Sequence, residues 1–249
     1  DSRYATGVSP VKFAAGDLDG DGLLDLAVVN SQTNDLSVLI GKGDGTFSAA
    51  ISYPLGFKPR AIAVSDFNND GYPDAAVTCY ESCSRGLYLL LNPGDGRFGS
   101  LTPVPGIAMG DEATAADFNR DGDMDLAVFH SVGGKHMYSV LLGDGSGSLA
   151  IANSYEALES AASMVSGDFN GDGKPDIAFV QNRSHKLVVA QNAGDGSLQL
   201  PVMRDTGSYP IAIAQGLFDD DLLPDLAVVH TGGAQPGVTI YIGQGEGTF

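Results

Sequence analysis

The sequence of 249 residues contains no tryptophan, only two cysteines and few basic residues, and each shortage narrows the range of functions. Thirteen lysines and arginines stand against 31 aspartates and glutamates, so we expect no basic surface for nucleic acid and repulsion from anionic membranes. No apolar run approaches the length of a transmembrane helix. Without tryptophan, stacking against a sugar would fall to tyrosine and phenylalanine. We therefore expect neither a nucleic-acid partner nor insertion into a membrane.

The two cysteines, Cys79 and Cys83, lie four residues apart in one predicted loop. They are too few for a cysteine-based zinc site. In an oxidising compartment they can form a local disulfide, whereas the alternative is two free thiols at the end of a strand. We predict the disulfide, together with a secreted, extracellular or cell-surface location.

What the chain does contain is an acidic loop that recurs about every 50 residues. The first copy runs from Asp17 to Asp25, with aspartates at positions 1, 3, 5 and 9 and Gly22 at position 6. The later copies begin at residues 66, 117, 168 and 217. A period of this length and regularity predicts a repeat architecture.

The side-chain oxygens of these loops suit a hard cation, and Ca²⁺ accepts irregular geometry more readily than Mg²⁺ does. An EF-hand is excluded because it needs a glutamate at position 12, where the first loop has Val28. Aspartate-rich turns without metal are the alternative. We predict about four structural calcium ions. The predicted ligands are Asp17, Asp19, Asp21, Leu23, Asp25, Asp66, Asn68, Asp70, Tyr72, Asp74, Asp117, Asn119, Asp121, Asp123, Asp125, Asp168, Asn170, Asp172, Lys174 and Asp176, with the seventh position contributing its backbone carbonyl.

The fifth loop differs from the other four. It keeps Asp219, Asp221 and Asp225, but Leu217 and Leu222 replace the first ligand and the glycine. The prediction of four ions leaves this loop out.

Each repeat has the pattern of four short strands. In the first repeat, one apolar run enters the acidic loop and a second leaves it, and the glycine-rich turn Gly41–Phe47 (GKGDGTF) precedes the fourth strand. A similar turn, Asn92–Phe98 (NPGDGRF), lies at the same place in the second repeat. Short β-branched and aliphatic runs separated by Gly, Asp and Asn are typical of strands and hairpins. The pattern predicts an all-β fold.

The acidic loops and the Gly-Asp-Gly-Thr-Phe-like turns together resemble the FG-GAP/VCBS repeat family, which includes the β-propeller heads of integrin α subunits and secreted bacterial proteins. The resemblance covers essentially the whole chain. It implies a β-propeller of five four-stranded blades in a single domain over residues 1–249, with repeats beginning near 11, 60, 111, 162 and 211. The alternative is part of a larger, seven-bladed propeller, which would expose the face of a blade; a closed ring would favour a monomer.

The connections between strands 2 and 3 of each repeat, and between strand 4 and the next repeat, form what we call the variable face, opposite the acidic loops. These connections differ between repeats, and all four histidines fall on this side. Ordinary loop residues are one interpretation, and a polar ligand site near the propeller axis is the other. The candidate ligand-binding residues are Arg60, Arg85, Asp111, Glu112, His130, His136, His185 and His230.

Two classes of function fit this face. A binding or adhesion module for a carbohydrate or an extracellular protein is the favoured prediction. The alternative is a polysaccharide lyase or glycoside hydrolase, and a hydrolase needs two carboxylates about 5–10 Å apart. Asp111 and Glu112 are adjacent on a predicted strand and therefore point to opposite sides, which makes them a poor catalytic pair. No catalytic residue is assigned from the sequence.

Overall fold

The computed structural model describes residues 3–81, 83–233 and 236–249, and the described chain contains strands but no helices. None of its elements is therefore a helix capable of crossing a membrane. The 19 strands form five antiparallel sheets in chain order. The protein is a five-bladed β-propeller, as predicted.

The blades are numbered along the chain, and four of them have four strands. Blade 1 contains β1 (Pro10–Gly16), β2 (Asp25–Asn30), β3 (Asp35–Leu39) and β4 (Ile51–Pro54). Blade 2 contains β5 (Lys58–Ser65), β6 (Asp74–Glu81), β7 (Leu87–Leu90) and β8 (Leu101–Pro103). Blade 3 contains β9 (Met109–Ala116), β10 (Asp125–Val132), β11 (Lys135–Gly143) and β12 (Leu149–Ala157). Blade 4 contains β13 (Ser163–Gly167), β14 (Asp176–Gln181), β15 (Lys186–Ala190) and β16 (Val202–Asp205). Blade 5, in its described residues, contains β17 (Pro210–Gly216), β18 (Asp225–His230) and β19 (Gly237–Tyr241).

Four hydrophobic cores hold the propeller together, one between each pair of consecutive blades. The second strands show why these sequences are apolar on both sides. All six residues of β14 are buried, because its side chains alternate between the cores shared with blade 3 and with blade 5. A strand enclosed on both faces needs a continuous apolar run rather than an alternating one.

The two terminal blades each have one free face. Phe13 of β1 is 66% exposed, whereas Ile62, at the same position of blade 2, is 5% exposed because it packs on blade 1. At the other end, Phe218 of the fifth acidic loop is 51% exposed, whereas the equivalent Phe169 is fully buried against blade 5. Among the described residues, the strands of blades 1 and 5 make no contact as extensive as those between consecutive blades.

A tyrosine on the outer strand of a blade reaches the next blade. Tyr53 donates its hydroxyl hydrogen to the carbonyl of Gly96 at 3.3 Å, and Tyr155 accepts the N–H of Leu198 at 2.6 Å. Tyr4 makes the same contact with the N–H of Phe47 at 3.1 Å. Each of the three pairs is separated by 43 residues, so Tyr4 lies where the outer strand of a preceding blade would place its tyrosine.

Candidate functional site

The acidic loops wind around their first aspartate. In the first loop, Asp17 accepts the N–H of Gly20 at 2.8 Å and that of Gly22 at 2.9 Å. One oxygen from each of Asp17, Asp19 and Asp21 lies within 4.8 Å of the others. Equivalent bonds to the first aspartate occur in the loops that begin at residues 66, 117 and 168. The three converging carboxylate oxygens of the first loop fit a calcium ion.

The ninth aspartate has a second role that the sequence did not reveal. Asp25 is fully buried, and its two oxygens accept the N–H of Leu18 at 2.8 Å and that of Gly41 at 2.7 Å. It therefore ties the acidic loop to the glycine-rich turn of the same blade. Burial raises the pKa of the equivalent Asp74 and Asp176 to about 6, and a cation in the loop would favour their ionised form.

The partner of this ninth aspartate alternates along the chain. Blades 1, 3 and 5 supply a glycine N–H, while blades 2 and 4 supply the N–H of Asn92 and Asn192. The two asparagines also reach the preceding blade, where their side-chain amides donate to the carbonyls of Leu18 and Phe118, each at 2.7 Å. Odd and even blades thus use two different turns at the same position.

The fifth loop keeps the two hydrogen bonds of its ninth aspartate but lacks a complete set of predicted calcium ligands. Asp225 accepts the N–H of Phe218 at 2.5 Å and that of Gly243 at 2.8 Å, as its equivalents do. Leu217 offers no side-chain oxygen at the first position. Leu222 has a φ of 67°, a left-handed conformation that glycine adopts at the sixth position of the other loops. The fifth loop therefore keeps the link to its glycine-rich turn but lacks the first predicted ligand.

On the variable face, charged residues from three blades meet near the axis. Arg60 of blade 2 contacts Asp111 of blade 3, with 3.0 Å between Nε and Oδ1. Lys12 of blade 1 contacts Glu112 of blade 3, with 2.7 Å between Nζ and Oε2. Both carboxylates are buried, and burial raises their pKa while the paired cations lower it. We call these four residues the axial cluster.

The predicted histidines do not form one site. The Nδ1 of His136 is 3.1 Å from the hydroxyl of Ser131. His185 accepts the N–H of Tyr209 at 3.0 Å, on the connection to blade 5. His130 and His230 lie within blades 3 and 5 and bond the hydroxyls of Ser139 and Thr239, at 2.8 and 3.1 Å. His130 is buried, whereas His230 is partly exposed.

The remaining predicted residues lie near the end of β6 and in the loop between β6 and β7. Cys79 and Cys83 form the predicted disulfide. Arg85 is exposed beside it, and its backbone N–H donates to the hydroxyl of Tyr88 at 3.3 Å. This loop is therefore a covalently braced edge of the variable face, apart from the axial cluster.

One repeat position carries an unexpected pattern. The end of the second strand holds Asn30, Cys79, His130, Gln181 and His230 in blades 1 to 5. Cys79 forms the disulfide, and each of the other four has a buried side-chain atom without a hydrogen-bond partner in the described chain: Asn30 Oδ1, His130 Nδ1, Gln181 Oε1 and His230 Nδ1. The shared position was visible in the sequence, but its burial was not.

A cavity of about 380 Å³ lies between blades 3 and 4, away from the axial cluster. Its lining residues are Tyr138, Glu156, Ala157, Leu158, Phe179, Gln181, Val188, Pro201 and Met203. The rings of Tyr138 and Phe179 lie 5.3 Å apart between their centroids. Apart from Gln181 and Glu156, this lining is apolar or aromatic, and the sequence prediction did not include it.

Comparison with known proteins supports the repeat assignment. The family of the FG-GAP-like repeat matches residues 17–77 and 66–128. No curated protein matches the sequence.

Several solved structures share the fold at low sequence identity. A lectin from Agrocybe aegerita, described as recognising non-reducing terminal N-acetylglucosamine, has a TM-score of 0.60 and 18% identity, with 96% of this chain and 65% of the lectin covered. The rhamnogalacturonan lyase PL11 of Bacillus licheniformis has a TM-score of 0.57 and 17% identity, with 93% and 48% covered. A chain of a nidogen/laminin complex has a TM-score of 0.60 and 11% identity, with 89% and 72% covered. The chain thus spans less than two thirds of the length of the lectin and of the lyase.

The repeats that match the family, the acidic loops and the five blades agree with one another. At these identities the solved structures show the fold alone. Residues 17–128 match the FG-GAP-like repeat, and the chain folds as a five-bladed β-propeller.

Proposed function

We propose that this protein is a carbohydrate-binding propeller whose variable face binds the ligand and whose acidic loops hold structural calcium. The observation that carries the proposal is the axial cluster. Three blades bring Lys12, Arg60, Asp111 and Glu112 together, so donors and acceptors alternate at one place near the axis. The side chain of Arg60 is 53% exposed and retains guanidinium donors for a ligand.

The arrangement favours binding over glycoside hydrolysis. A hydrolase needs one carboxyl as acid and a second, free carboxylate as base or nucleophile. Asp111 and Glu112 each contact a cation at hydrogen-bond distance, and they follow one another on β9. Their pairing gives sugar hydroxyls a fixed set of polar partners, and the similarity to a lectin fold agrees with that use.

Glycan-array screening of the full chain in calcium tests this function. We expect binding to a carbohydrate, weakened by Arg60→Lys with little change in melting temperature, because lysine keeps a cation beside the buried Asp111 but lacks the planar guanidinium donors. Substitution of the exposed Lys42, beside the acidic loops, is the matched control and should leave binding unchanged. Absence of glycan binding, or loss of binding with Lys42 instead of Arg60, would contradict the proposal. Release of reducing ends or unsaturated products would favour the enzymatic alternative.

The proposed calcium ions occupy the four complete loops. The support is chemical: the residues present are carboxylates, carboxamides and backbone carbonyls, the oxygen ligands that Ca²⁺ prefers. The four loops share their hydrogen bonds to the first aspartate. A secreted location is part of the same proposal, because millimolar calcium and an intact disulfide both suit an extracellular protein.

A further inference from the structure

The second and fourth acidic loops form a closely matched pair. Both have aspartate at positions 1, 5 and 9, phenylalanine at position 2, asparagine at position 3, glycine at position 6 and proline at position 8. In both, the ninth aspartate accepts the N–H of an asparagine, Asn92 or Asn192, at 2.8 Å. Apart from position 4, the two loops differ only at position 7, which is Tyr72 in the second loop and Lys174 in the fourth.

Lys174 contacts one of the predicted calcium ligands with both its backbone and its side chain. Its Nζ lies 3.0 Å from Oδ2 of Asp172, the ligand at position 5, and its backbone N–H donates to Oδ1 of the same carboxylate at 3.0 Å. In the second and third loops, the equivalent Oδ2 accepts a neutral side-chain amide, from Asn68 at 2.9 Å and from Asn119 at 2.7 Å. The fourth loop therefore has a positive charge where those two loops have an uncharged donor.

Packing holds the lysine in this position. Its side chain is only 26% exposed, and a Cβ on Gly194 would lie 2.8 Å from its Cδ, so the aliphatic stem packs against the glycine-rich turn of the same blade. The ring of Tyr72 packs in the same way against Gly94. The side chain at position 7 is thus held beside the loop in both blades, and only Lys174 brings a charge there.

A cation held on a ligand opposes the binding of a second cation. When calcium binds an oxygen of Asp172, the ammonium group of Lys174 either stays close to the ion and is repelled, or leaves the carboxylate and loses its ion pair. Repulsion between a divalent ion and a single charge a few ångströms away lowers affinity about tenfold even in water. Salt screens this repulsion only in part, because the separation is shorter than the Debye length.

We propose that Lys174 is a competing cation built into the fourth acidic loop and makes this loop the weakest of the four calcium sites, an inference that rests on the proposed calcium ions. The first and third loops each have four aspartates among their predicted ligands, one more than the fourth loop, so they bind more tightly as well. As free calcium falls, the fourth loop empties while the second is still occupied. The loss acts on the contact between blades 4 and 5, because Phe169 of this loop is fully buried in the core that these blades share.

Backbone amide NMR of the full chain tests this inference, with Gly71 and Gly173 as reporters at position 6 of the two matched loops. Free calcium is lowered with a chelator, starting from the calcium-loaded protein. We expect the Gly173 signal to change at a free calcium concentration about tenfold higher than the Gly71 signal does. A shared midpoint, or an earlier change at Gly71, would overturn the inference.

Variants at position 7 assign the difference to charge. Lys174→Met keeps an unbranched side chain without the ammonium group and should lower the Gly173 midpoint about tenfold, to that of Gly71. Lys174→Arg keeps the charge and is the matched control, with a midpoint close to that of the parent. The reciprocal Tyr72→Lys should raise the Gly71 midpoint and leave Gly173 unchanged. If Tyr72→Lys fails to fold, the two Lys174 variants decide, and equal midpoints for them would contradict a role of the charge.

The same titration separates this inference from the proposed calcium ions themselves. If Gly22, Gly71 and Gly122 respond to calcium and Gly173 shares their midpoint, the calcium ions stand and the role of Lys174 fails. If none of the four glycines responds, the calcium proposal fails and this inference fails with it.

Discussion

Phe169 and Phe218 occupy the same position in consecutive acidic loops, yet Phe169 is fully buried and Phe218 is half exposed. Both follow the same kind of inner strand and both precede a braced aspartate. The difference is the next blade: Phe169 packs against Ile213 and Leu226 of blade 5, and no described blade covers Phe218. Burial of the loop aromatic is therefore a property of the contact between blades. The hydrophobic core on each face of a blade is completed by side chains of the neighbouring blade.

We expect the largest change in stability when the two phenylalanines are replaced in turn by alanine. Phe169→Ala should reduce the free energy of unfolding by about 3–5 kcal/mol, since it opens a cavity in a core between blades. Phe218→Ala should cost less than about 0.5 kcal/mol, as exposed substitutions do. Urea unfolding of both variants measures the difference. Equal losses would show that Phe218 is covered in solution.

The second prediction compares the stabilisation by calcium of a complete acidic loop with that of the fifth loop. With free calcium at a hundred times the dissociation constant, one bound ion stabilises the fold by about 2.7 kcal/mol. Asp121→Ala, at position 5 of the third loop, should lose about this much in calcium and little in EDTA. Asp221→Ala, at position 5 of the fifth loop, should show no calcium-dependent loss. Thermal unfolding with and without EDTA checks both variants, and a calcium-dependent loss in Asp221→Ala would place an ion in the fifth loop.

The smallest expected effect is on the pH dependence of stability. It compares variants of His130 and His230, which occupy the same repeat position in blades 3 and 5. Burial lowers the pKa of His130, so below about pH 6.5 the unfolded chain takes up a proton that the folded chain resists. Stability is therefore complete above this pH and falls on acidification, by at most about 1.4 kcal/mol per pH unit. His130→Gln, which introduces the residue found in blade 4, should flatten this slope between pH 6.5 and 5. The same substitution at the partly exposed His230 is the control, and an unchanged slope in His130→Gln would contradict the assignment.

The fold was predictable because its signals are local and repeated. Four intact acidic loops at a regular period, each between apolar runs, determine the strands and the turns within a blade. The disulfide was equally local, with Cys79 and Cys83 four residues apart. Such contacts depend on the chain immediately before and after them, which the sequence displays directly.

The site was less predictable because it depends on how the blades curve around the axis. Lys12 and Glu112 are separated by 100 residues and meet only because blades 1 and 3 face one another across that axis. The bracing role of Asp225, like that of the ninth aspartate in the other loops, depends on a turn 18 residues further along the chain and was not visible in the sequence. The cavity beside Gln181 lies between blades 3 and 4, so it depends on how two blades pack, which the sequence does not display.

The alternation of turns between odd and even blades has a consequence for symmetry. Asparagine at the braced turn links blade 2 to blade 1 and blade 4 to blade 3, so the structural period is two blades rather than one. A ring with an even number of members can alternate two types without conflict, but a ring of five cannot. If blade 5 met blade 1, two blades of the same parity would become neighbours, with Gly41 where an alternating ring requires asparagine. The alternation therefore cannot continue across a contact between blade 5 and blade 1. These are the two blades whose free faces expose Phe218 and Phe13.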